Sequence, residues 1–579
     1  MPMVKPVVIL LRIRVFRILL AATLLAPGLS GAASPPGAAV ASGHPRATAA
    51  GIEILERGGN AFDAAVAVTA ALAVVEPSGS GLGGGGFWLL HRASDDHSVM
   101  LDGREKAPAA ATESMYLDAD GQYQREWSRD TPLAAGIPGE PAALAHLAQH
   151  YGRLTLAENL APAIRLATDG FRVSEQMHKM LAFRAPVLRK SPAAAELFLT
   201  DAGEPLPVGT RVRQPDLANT LQAIADGGRD GFYTGAVARK MVDGVREAGG
   251  IWTLEDLADY DLVEREPITF SYGPYRVTSA SPPSSGGIVL AEALHMLEGF
   301  DLAALSGVQR KHLAAEAMRR AYRDRAAWLG DSDFVQIPTD RLLSPLYAAG
   351  LRGSIRLDRA SKSSSLTPPN AEHRPGKGED TTHFSIIDTQ GNRVSATLSV
   401  NFPFGAGFMP PGTGVFINNE MDDFSAKPLT PNAYGLIGGG ANAIAPGKRP
   451  LSSMSPSFIE SDERLAIIGT PGGSRIISMV LLGMLKFTQG GTAQDIVGLP
   501  RFHHQYQPDE ILYEPGALRE SEKTELEQMG HTLKLSSREY GDMHVIVWDK
   551  QADRLHAASD PRGMGKPSVR ILPGRAPAD

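Results

Sequence analysis

The sequence predicts a layered α/β protein on three observations: 43% of its 579 residues are hydrophobic, helical and strand-like patterns alternate along it, and a chain this long buries a large core. That length suits one large domain or two to three ordinary ones, and it excludes a disordered bulk.

In order along the chain, Lys5, Arg12, Arg14 and Arg17 precede an apolar run from Ile18 to Ala26 and small residues through Gly31-Ala32-Ala33. Basic, apolar, then small is the order of a secretory signal peptide, the apolar run being about half of what spans a bilayer. An uncleaved membrane anchor is the alternative. Removing residues 1–33 takes away four positive charges and moves the formal charge from -7 to about -11. Such a surface argues against nucleic acid and anionic membranes as partners. The chain has no cysteine, which excludes disulfides, thiolate metal sites and a cysteine nucleophile and is compatible with an oxidising compartment.

Ala47 to Val75 reads as helix and ends at Pro77; the glycine-rich turn Gly79–Gly86 then leads into Phe87–Leu90, a buried strand. Residues 136–330 alternate helical stretches with loops. Clear helices are Glu140–Tyr151 and His312–Leu329, whose Arg and Asp residues are expected to cover its outer face. Residues 358–380 contain almost no large apolar side chain and read as a mobile, solvated connector. Thr381–Ile387 and Val394–Val400 then alternate on either side of Thr389-Gln390-Gly391-Asn392, a β-hairpin. Folding it about Gln390 and Gly391 brings Thr381 level with residues 399–401, to within one residue.

A flexible linker that ends abruptly at a threonine opening a core strand is a setting for an N-terminal nucleophile. Breaking the bond between Asp380 and Thr381 gives Thr381 a free α-amine of pKa about 8, able to take the proton from its own hydroxyl. The same hydroxyl is placed to make that cut by attacking the Asp380 carbonyl. By itself, Thr-Thr at a strand start also reads as ordinary β-branched strand residues.

The wider pattern changes that balance. Residues 381–405, Thr-Thr-His-Phe-Ser-Ile-Ile-Asp-Thr-Gln-Gly-Asn-Arg-Val-Ser-Ala-Thr-Leu-Ser-Val-Asn-Phe-Pro-Phe-Gly, resemble the signature of the γ-glutamyltranspeptidase family. The resemblance continues in Asn418–Ser425, Pro450–Pro456, Pro471–Arg475 and Pro500–Gln505, and upstream in Gly83–Phe87, Leu101–Glu105, Pro282–Gly287 and Gly330-Asp331. It covers nearly the whole chain after residue 33.

It implies a four-layer αββα sandwich of the N-terminal-nucleophile hydrolases, in which a large subunit (34–380) and a small one (381–579) from one precursor form an intertwined domain and a heterodimer. It implies Thr381 as nucleophile and Ser399 as the hydroxyl that orients it, where the family has threonine. Arg104, Ser452 and Ser453 match the family's donors to a substrate α-carboxylate; Asn401, Glu420 and Asp423 match its acceptors for the α-ammonium. Gly472 and Gly473 match the oxyanion hole, and residues 428–449 resemble a lid loop, with Tyr434 matching the aromatic over the bound glutamyl group.

The activity so implied is γ-glutamyl transfer and glutathione hydrolysis without a cofactor. Donors are glutathione or other γ-glutamyl compounds; acceptors are water, amino acids or dipeptides. A cephalosporin-acylase-like amidase and a non-catalytic γ-glutamyl-peptide binding protein are the alternatives, and the expected location is the periplasm or the exterior. The glycine run at 81–86 lacks the Gly-Lys-Ser/Thr of a phosphate loop. His503-His504 point in different directions and no His-Glu-x-x-His exists, so no metal is expected. His383 reads as a packed strand histidine.

Overall fold

The computed structural model describes residues 34–366, 381–425 and 436–571, and the described residues from Pro35 onward belong to one compact unit. The signal-peptide stretch, the connector from 367 to Asp380, and Tyr434 lie outside the described residues.

In chain order the principal strands are β1 (Ala38–Ser42), β2 (Gly85–Arg92), β3 (His97–Gly103), β4 (Val263–Arg265), β5 (Ile268–Tyr272), β6 (Tyr275–Ser279), β7 (Thr382–Ile387), β8 (Arg393–Ser399), β9 (Ser457–Glu460), β10 (Arg464–Gly469), β11 (His544–Asp549), β12 (Arg554–Ser559) and β13 (Ser568–Arg570). They build a seven-stranded sheet in the order β13-β1-β7-β8-β2-β3-β4 and a six-stranded sheet in the order β12-β11-β10-β9-β6-β5. Helices α1 (Pro45–Glu56) and α2 (Ala61–Val75) cover the outer face of the first sheet. Helices α3 (Gly286–Glu298), α4 (Gly307–Trp328) and α5 (Ile476–Thr488) share the other core, with the second sheet. The four-layer αββα sandwich implied by the resemblance is the observed architecture.

The period-2 alternation of strands decides which side chains meet between the sheets. Phe384 and Ile386 on β7, and Val394, Ala396 and Leu398 on β8, enter the helix-side core. Between them Ser385 Oγ donates to the His544 carbonyl at 3.0 Å and Ser395 Oγ to the Ile468 carbonyl at 3.2 Å, both on the second sheet. Odd-numbered residues of the hairpin therefore face the second sheet, and Thr381 and Ser399 continue that row to its end.

Three expectations are corrected. The helical pattern over 47–75 is two helices, because Gly58 takes φ +94° and Asn60 caps α2 by accepting from the Phe62 and Asp63 N–H groups. On α4, Arg319, Arg320, Asp324 and Arg325 are buried rather than outward-facing. The helix is enclosed, so its charges pair: Glu316 meets Arg319 at 3.2 Å and Arg320 at 2.6 Å, and Asp324 accepts from Tyr347 Oη at 2.8 Å. The described start of the connector is pinned rather than mobile, with the Ala360 N–H donating to the Met529 carbonyl at 2.7 Å and that of Ser363 to Asp509 at 2.8 Å.

Candidate active site

The hairpin register pairs Thr382 with Leu398, so the next step outward sets Thr381 against Ser399, with Oγ1 and Oγ 3.5 Å apart. Tight turn chemistry fixes this register: Asp388 Oδ1 accepts from the Gln390 N–H at 2.8 Å and the Asn392 N–H at 3.1 Å. Beyond β8 the chain reverses at Asn401, whose φ of +73° suits asparagine. Its N–H donates to Ser399 Oγ at 2.8 Å and its Nδ2 to the Asn419 carbonyl at 2.9 Å.

The glycine run before β2 serves close packing. A Cβ on Gly83, Gly84, Gly85 or Gly86 would lie 1.9, 2.2, 2.3 or 2.5 Å from the carbonyl oxygens of Phe416, Ser399, Gly103 and Thr397 respectively. Two of those four carbonyls belong to β8, so the glycines let neighbouring backbone press against the strand that ends at Ser399.

Thr381, Ser399 and Asn401 line one side of a pocket completed by Arg104, Glu420, Asp423, Ser452, Ser453 and Gly473. Arg104 crosses it as a tether: Nη1 meets Glu420 at 2.8 Å, Nη2 donates to Asp423 Oδ2 at 2.6 Å, and Nε donates to the Pro450 carbonyl at 3.2 Å. Burial pushes the Glu420 carboxyl up to about 7; Arg104 and a hydrogen bond from the Ser399 hydroxyl pull it back, while Asp423 pushes it further. Burial likewise raises Asp423, and raises Glu105, which sits behind Arg104 at 3.5 Å, well above the usual carboxylate range.

The opposite wall comes from segments far apart in sequence. Ser284 Oγ donates to the Met454 carbonyl at 2.6 Å and Ser285 Oγ to the Ser452 carbonyl at 2.7 Å, so the Pro282–Gly287 motif fixes the serine segment. Gly472 at φ +139° and Gly473 at φ +57° then turn the chain from β10 into α5. The N–H groups of such a first turn have no intrahelical acceptor and are available to a developing anion.

A threonine at a strand start, a facing hydroxyl and a pocket holding both cations and carboxylates are the features of the sequence resemblance, now in one place. The model of the family described as Gamma-glutamyltranspeptidase matches residues 47–569. The chain belongs to the gamma-glutamyltranspeptidase family. Relatives include glutathione hydrolase proenzymes of a Pseudomonas strain, 44% identical over 84% of both chains, and of Escherichia coli, 39% identical over 95% of this chain and 97% of that one. Among solved structures, cephalosporin acylase from Bacillus halodurans is similar at 29% identity with a TM-score of 0.80, covering 92% of this chain and 96% of its own. Helicobacter pylori gamma-glutamyltranspeptidase is similar at 41% identity and a TM-score of 0.55, over 56% of this chain and 93% of that one.

Within this family member, Gly472 alone of the eight described pocket candidates beside Thr381 and Ser399 does not itself line the pocket; it neighbours Gly473, which does. Sequence reasoning missed Arg325, Leu436, Met454, Ser474 and Ile476, which also line it. For Arg325 the signal was its place on α4: it shares a helix face with Ala314, Met318 and Ala321, opposite the polar face of His312, Glu316, Arg319 and Arg323. His383 is buried on β7, against Thr397 Oγ1 at 2.9 Å and Ser385 Oγ at 3.2 Å.

The two adjacent histidines diverge: His503 reaches Ser478 and Gln505, whereas His504 faces Asp509. Among the described residues, His312, Glu316 and His531 approach metal-ligand spacing. There His312 Nδ1 lies 2.7 Å from His531 Nε2, and Glu316 is occupied by Arg319, Arg320 and the Ser361 N–H, an environment that repels a cation.

Proposed function

We propose that this protein is a self-cleaving γ-glutamyltransferase and glutathione hydrolase. The observation that carries the reading is the position of Thr381, at the mouth of a pocket whose two cations and two carboxylates complement the zwitterionic end of a γ-glutamyl group.

In the precursor, Thr381 Oγ1 attacks the Asp380 carbonyl, the peptide C–N bond breaks, and the Thr381 nitrogen leaves with the hydroxyl proton. Water hydrolyses the resulting ester, yielding the Asp380 carboxylate and restoring the hydroxyl. The freed α-amine then takes the proton of that hydroxyl as Oγ1 attacks the donor's γ-carbonyl. The Gly472 and Gly473 N–H groups receive the oxyanion, the proton passes to the departing amine, and water or an amino-acid or peptide amine resolves the acyl-enzyme. Ser399 Oγ, 3.5 Å from Thr381 Oγ1, orients the nucleophilic hydroxyl. Glu420, Asp423 and Asn401 take the ammonium; Arg104, Ser452 and Ser453 serve the carboxylate. This chemistry requires no cofactor. The large and small subunits stay together as a heterodimer, and export to the periplasm or beyond accords with the basic, apolar and small order of residues 1–33.

Intact mass and a denaturing gel test the reading, with the wild type beside Thr381→Ala. Two fragments meeting at 380/381 in the wild type alone, and release of p-nitroaniline from γ-glutamyl-p-nitroanilide, are expected. A wild-type chain that stays intact under permissive conditions overturns it. A cephalosporin-acylase-like activity is the second reading, favoured by the similarity to the Bacillus halodurans enzyme; the Glu420–Arg104–Asp423 set speaks for an ammonium-bearing donor instead. Glutaryl-7-aminocephalosporanic acid turned over faster than the γ-glutamyl anilide would decide for the acylase.

A further inference from the structure

We propose that Tyr322 is a positioning residue for the acyl transfer: its hydroxyl starts a chain of hydrogen bonds that runs through two peptide groups and aims the Gly473 N–H at the forming oxyanion. The inference rests on the proposed roles of Thr381 and Gly473 and adds to them the group that holds the glycine turn from behind.

The turn between β10 and α5 has to keep its N–H groups toward the pocket, yet its two glycines carry no side chain that could anchor it. The carbonyls of the turn supply the anchor. Tyr322, buried on α4, donates its hydroxyl proton to the Ser474 carbonyl. A carbonyl can only accept, so the direction of that bond is fixed. Burial, against the pull of a hydrogen bond with Ser478, pushes the phenol up to about 12 and keeps the proton in place. The Arg475 N–H, in the same peptide group as the Ser474 carbonyl, donates to the Gly472 carbonyl at 3.2 Å. That carbonyl shares its own peptide group with the Gly473 N–H, which meets no acceptor among the described residues and belongs to a residue that lines the pocket.

In a planar trans peptide the C=O and N–H point in opposite directions. Fixing the Ser474 carbonyl therefore sets the Arg475 N–H, which fixes the Gly472 carbonyl and with it the Gly473 N–H. The bonds also run head to tail, so each polarises the next and makes the terminal N–H a stronger donor. Charge that develops only in the transition state gains from this, whereas the bound ground state does not.

The tyrosine is itself held. Its ring stands edge-on to His503 with centroids 5.5 Å apart, and Ser478 Oγ, which also bonds the Tyr322 hydroxyl, lies 2.7 Å from His503 Nδ1. On its other side His503 Nε2 is 2.8 Å from Gln505 Oε1. The Pro500–Gln505 motif, which does not line the pocket, thus backs the tyrosine that directs the oxyanion donor.

The test compares Tyr322→Phe with the wild type through two inhibitors of γ-glutamyl-p-nitroanilide turnover. One is the glutamate analogue with a boronic acid group in place of the γ-carboxyl group. Thr381 Oγ1 adds to its trigonal boron, the hydroxyl proton passes to the α-amine, and the tetrahedral anion that results places an oxygen where the oxyanion forms. The other is L-2-aminobutanoate, the same molecule with hydrogen in place of the boronic acid group, which leaves the Gly473 N–H untouched. Loss of the phenol is expected to slow acylation about tenfold and to raise Ki for the boronate about tenfold, the upper end of what one hydrogen bond contributes, with L-2-aminobutanoate changed less than about twofold. A tyrosine that only packs the core would weaken both inhibitors alike. Where the phenylalanine form does not mature, Ser478→Ala takes its place, with the same pattern expected at about threefold. Equal losses for both inhibitors, or an unchanged Ki for the boronate, overturn the proposal. A boronate that binds the wild type no more tightly than L-2-aminobutanoate means that no adduct forms at Thr381, and overturns the parent reading instead.

Discussion

Gly472 is where backbone geometry and chemistry coincide most closely, and Gly472→Ala separates two reasons for the glycine. At φ +139° and ψ 19° the residue occupies a region that side chains rarely adopt, and a Cβ there would lie 2.5 Å from Met479 Cε. The contact is with the end of a flexible side chain, which swings away cheaply. The backbone term is not relieved that way and costs about 1–3 kcal/mol, enough to rotate the peptide and swing the Gly472 and Gly473 N–H groups off the oxyanion position. Losing one such donor costs about a hundredfold to a thousandfold in kcat. The assay is pre-steady-state release of p-nitroaniline from γ-glutamyl-p-nitroanilide, with Gly472→Ala compared with Gly472→Ala/Met479→Leu. Leucine removes the clashing methyl at a packing cost under about 1.5 kcal/mol. The acylation rate is expected to fall at least about a hundredfold in both. Full recovery in the double variant would mean that the glycine supplies only space, and the backbone argument fails; an unimpaired single variant refutes the oxyanion assignment altogether.

Two further predictions use carboxyls whose pKa is raised by burial. On the proposed assignment, Glu420, pushed up to about 7, would hold the donor ammonium only when ionised, so the wild-type advantage over Glu420→Gln in kcat/KM is expected to be about tenfold or more at pH 8.5 and to shrink as pH falls through 7. The ratio of the two pH profiles is the readout, since the α-amine of Thr381 affects both alike, and a pH-independent ratio refutes the assignment. Glu76, raised to about 7 first by burial and then by Asp542, accepts from Thr382 Oγ1 at 2.9 Å. Its folded pKa exceeds its unfolded one, so stability is fully present below about 4.5 and is lost as pH rises through 7. Because the side chain is half-buried, Glu76→Gln is expected to recover about 1–3 kcal/mol at pH 8 and little at pH 4.5, read as the shift in urea midpoint in a Thr381→Ala background. A midpoint shift equal at both pH values would refute it.

What the sequence made legible follows the range of the interactions. The hairpin that opposes Thr381 and Ser399 is local: alternation, a Gln-Gly turn and an aspartate able to bond its own backbone fix its register within twenty residues. Arg104 and Asp423 lie more than 300 positions apart, and no periodicity joins them; only family resemblance placed them in one site. Arg325 was misread because a helical arginine faces water by default, and what reverses the default is enclosure of α4, a tertiary fact. The glycine run reads as a turn in sequence, whereas in the structure it lies against carbonyls of β8 and other segments. A composition signal shows that side chains are excluded but not by what.

The same distinction bears on the proposed cut before Thr381, which would have to leave the nucleophile in place. Contacts on the Thr381 side do not depend on the bond to Asp380. Thr382 is paired with Leu398 in the ladder, its hydroxyl is bonded to Glu76 beyond α2, and Phe384 is locked in the helix-side core. The first strand residue is thus fixed on the face turned toward the helices, while Thr381, one step earlier and on the opposite face, projects into the pocket. On the proposed mechanism, freeing the α-amine would therefore release Thr381 while leaving Thr382 held.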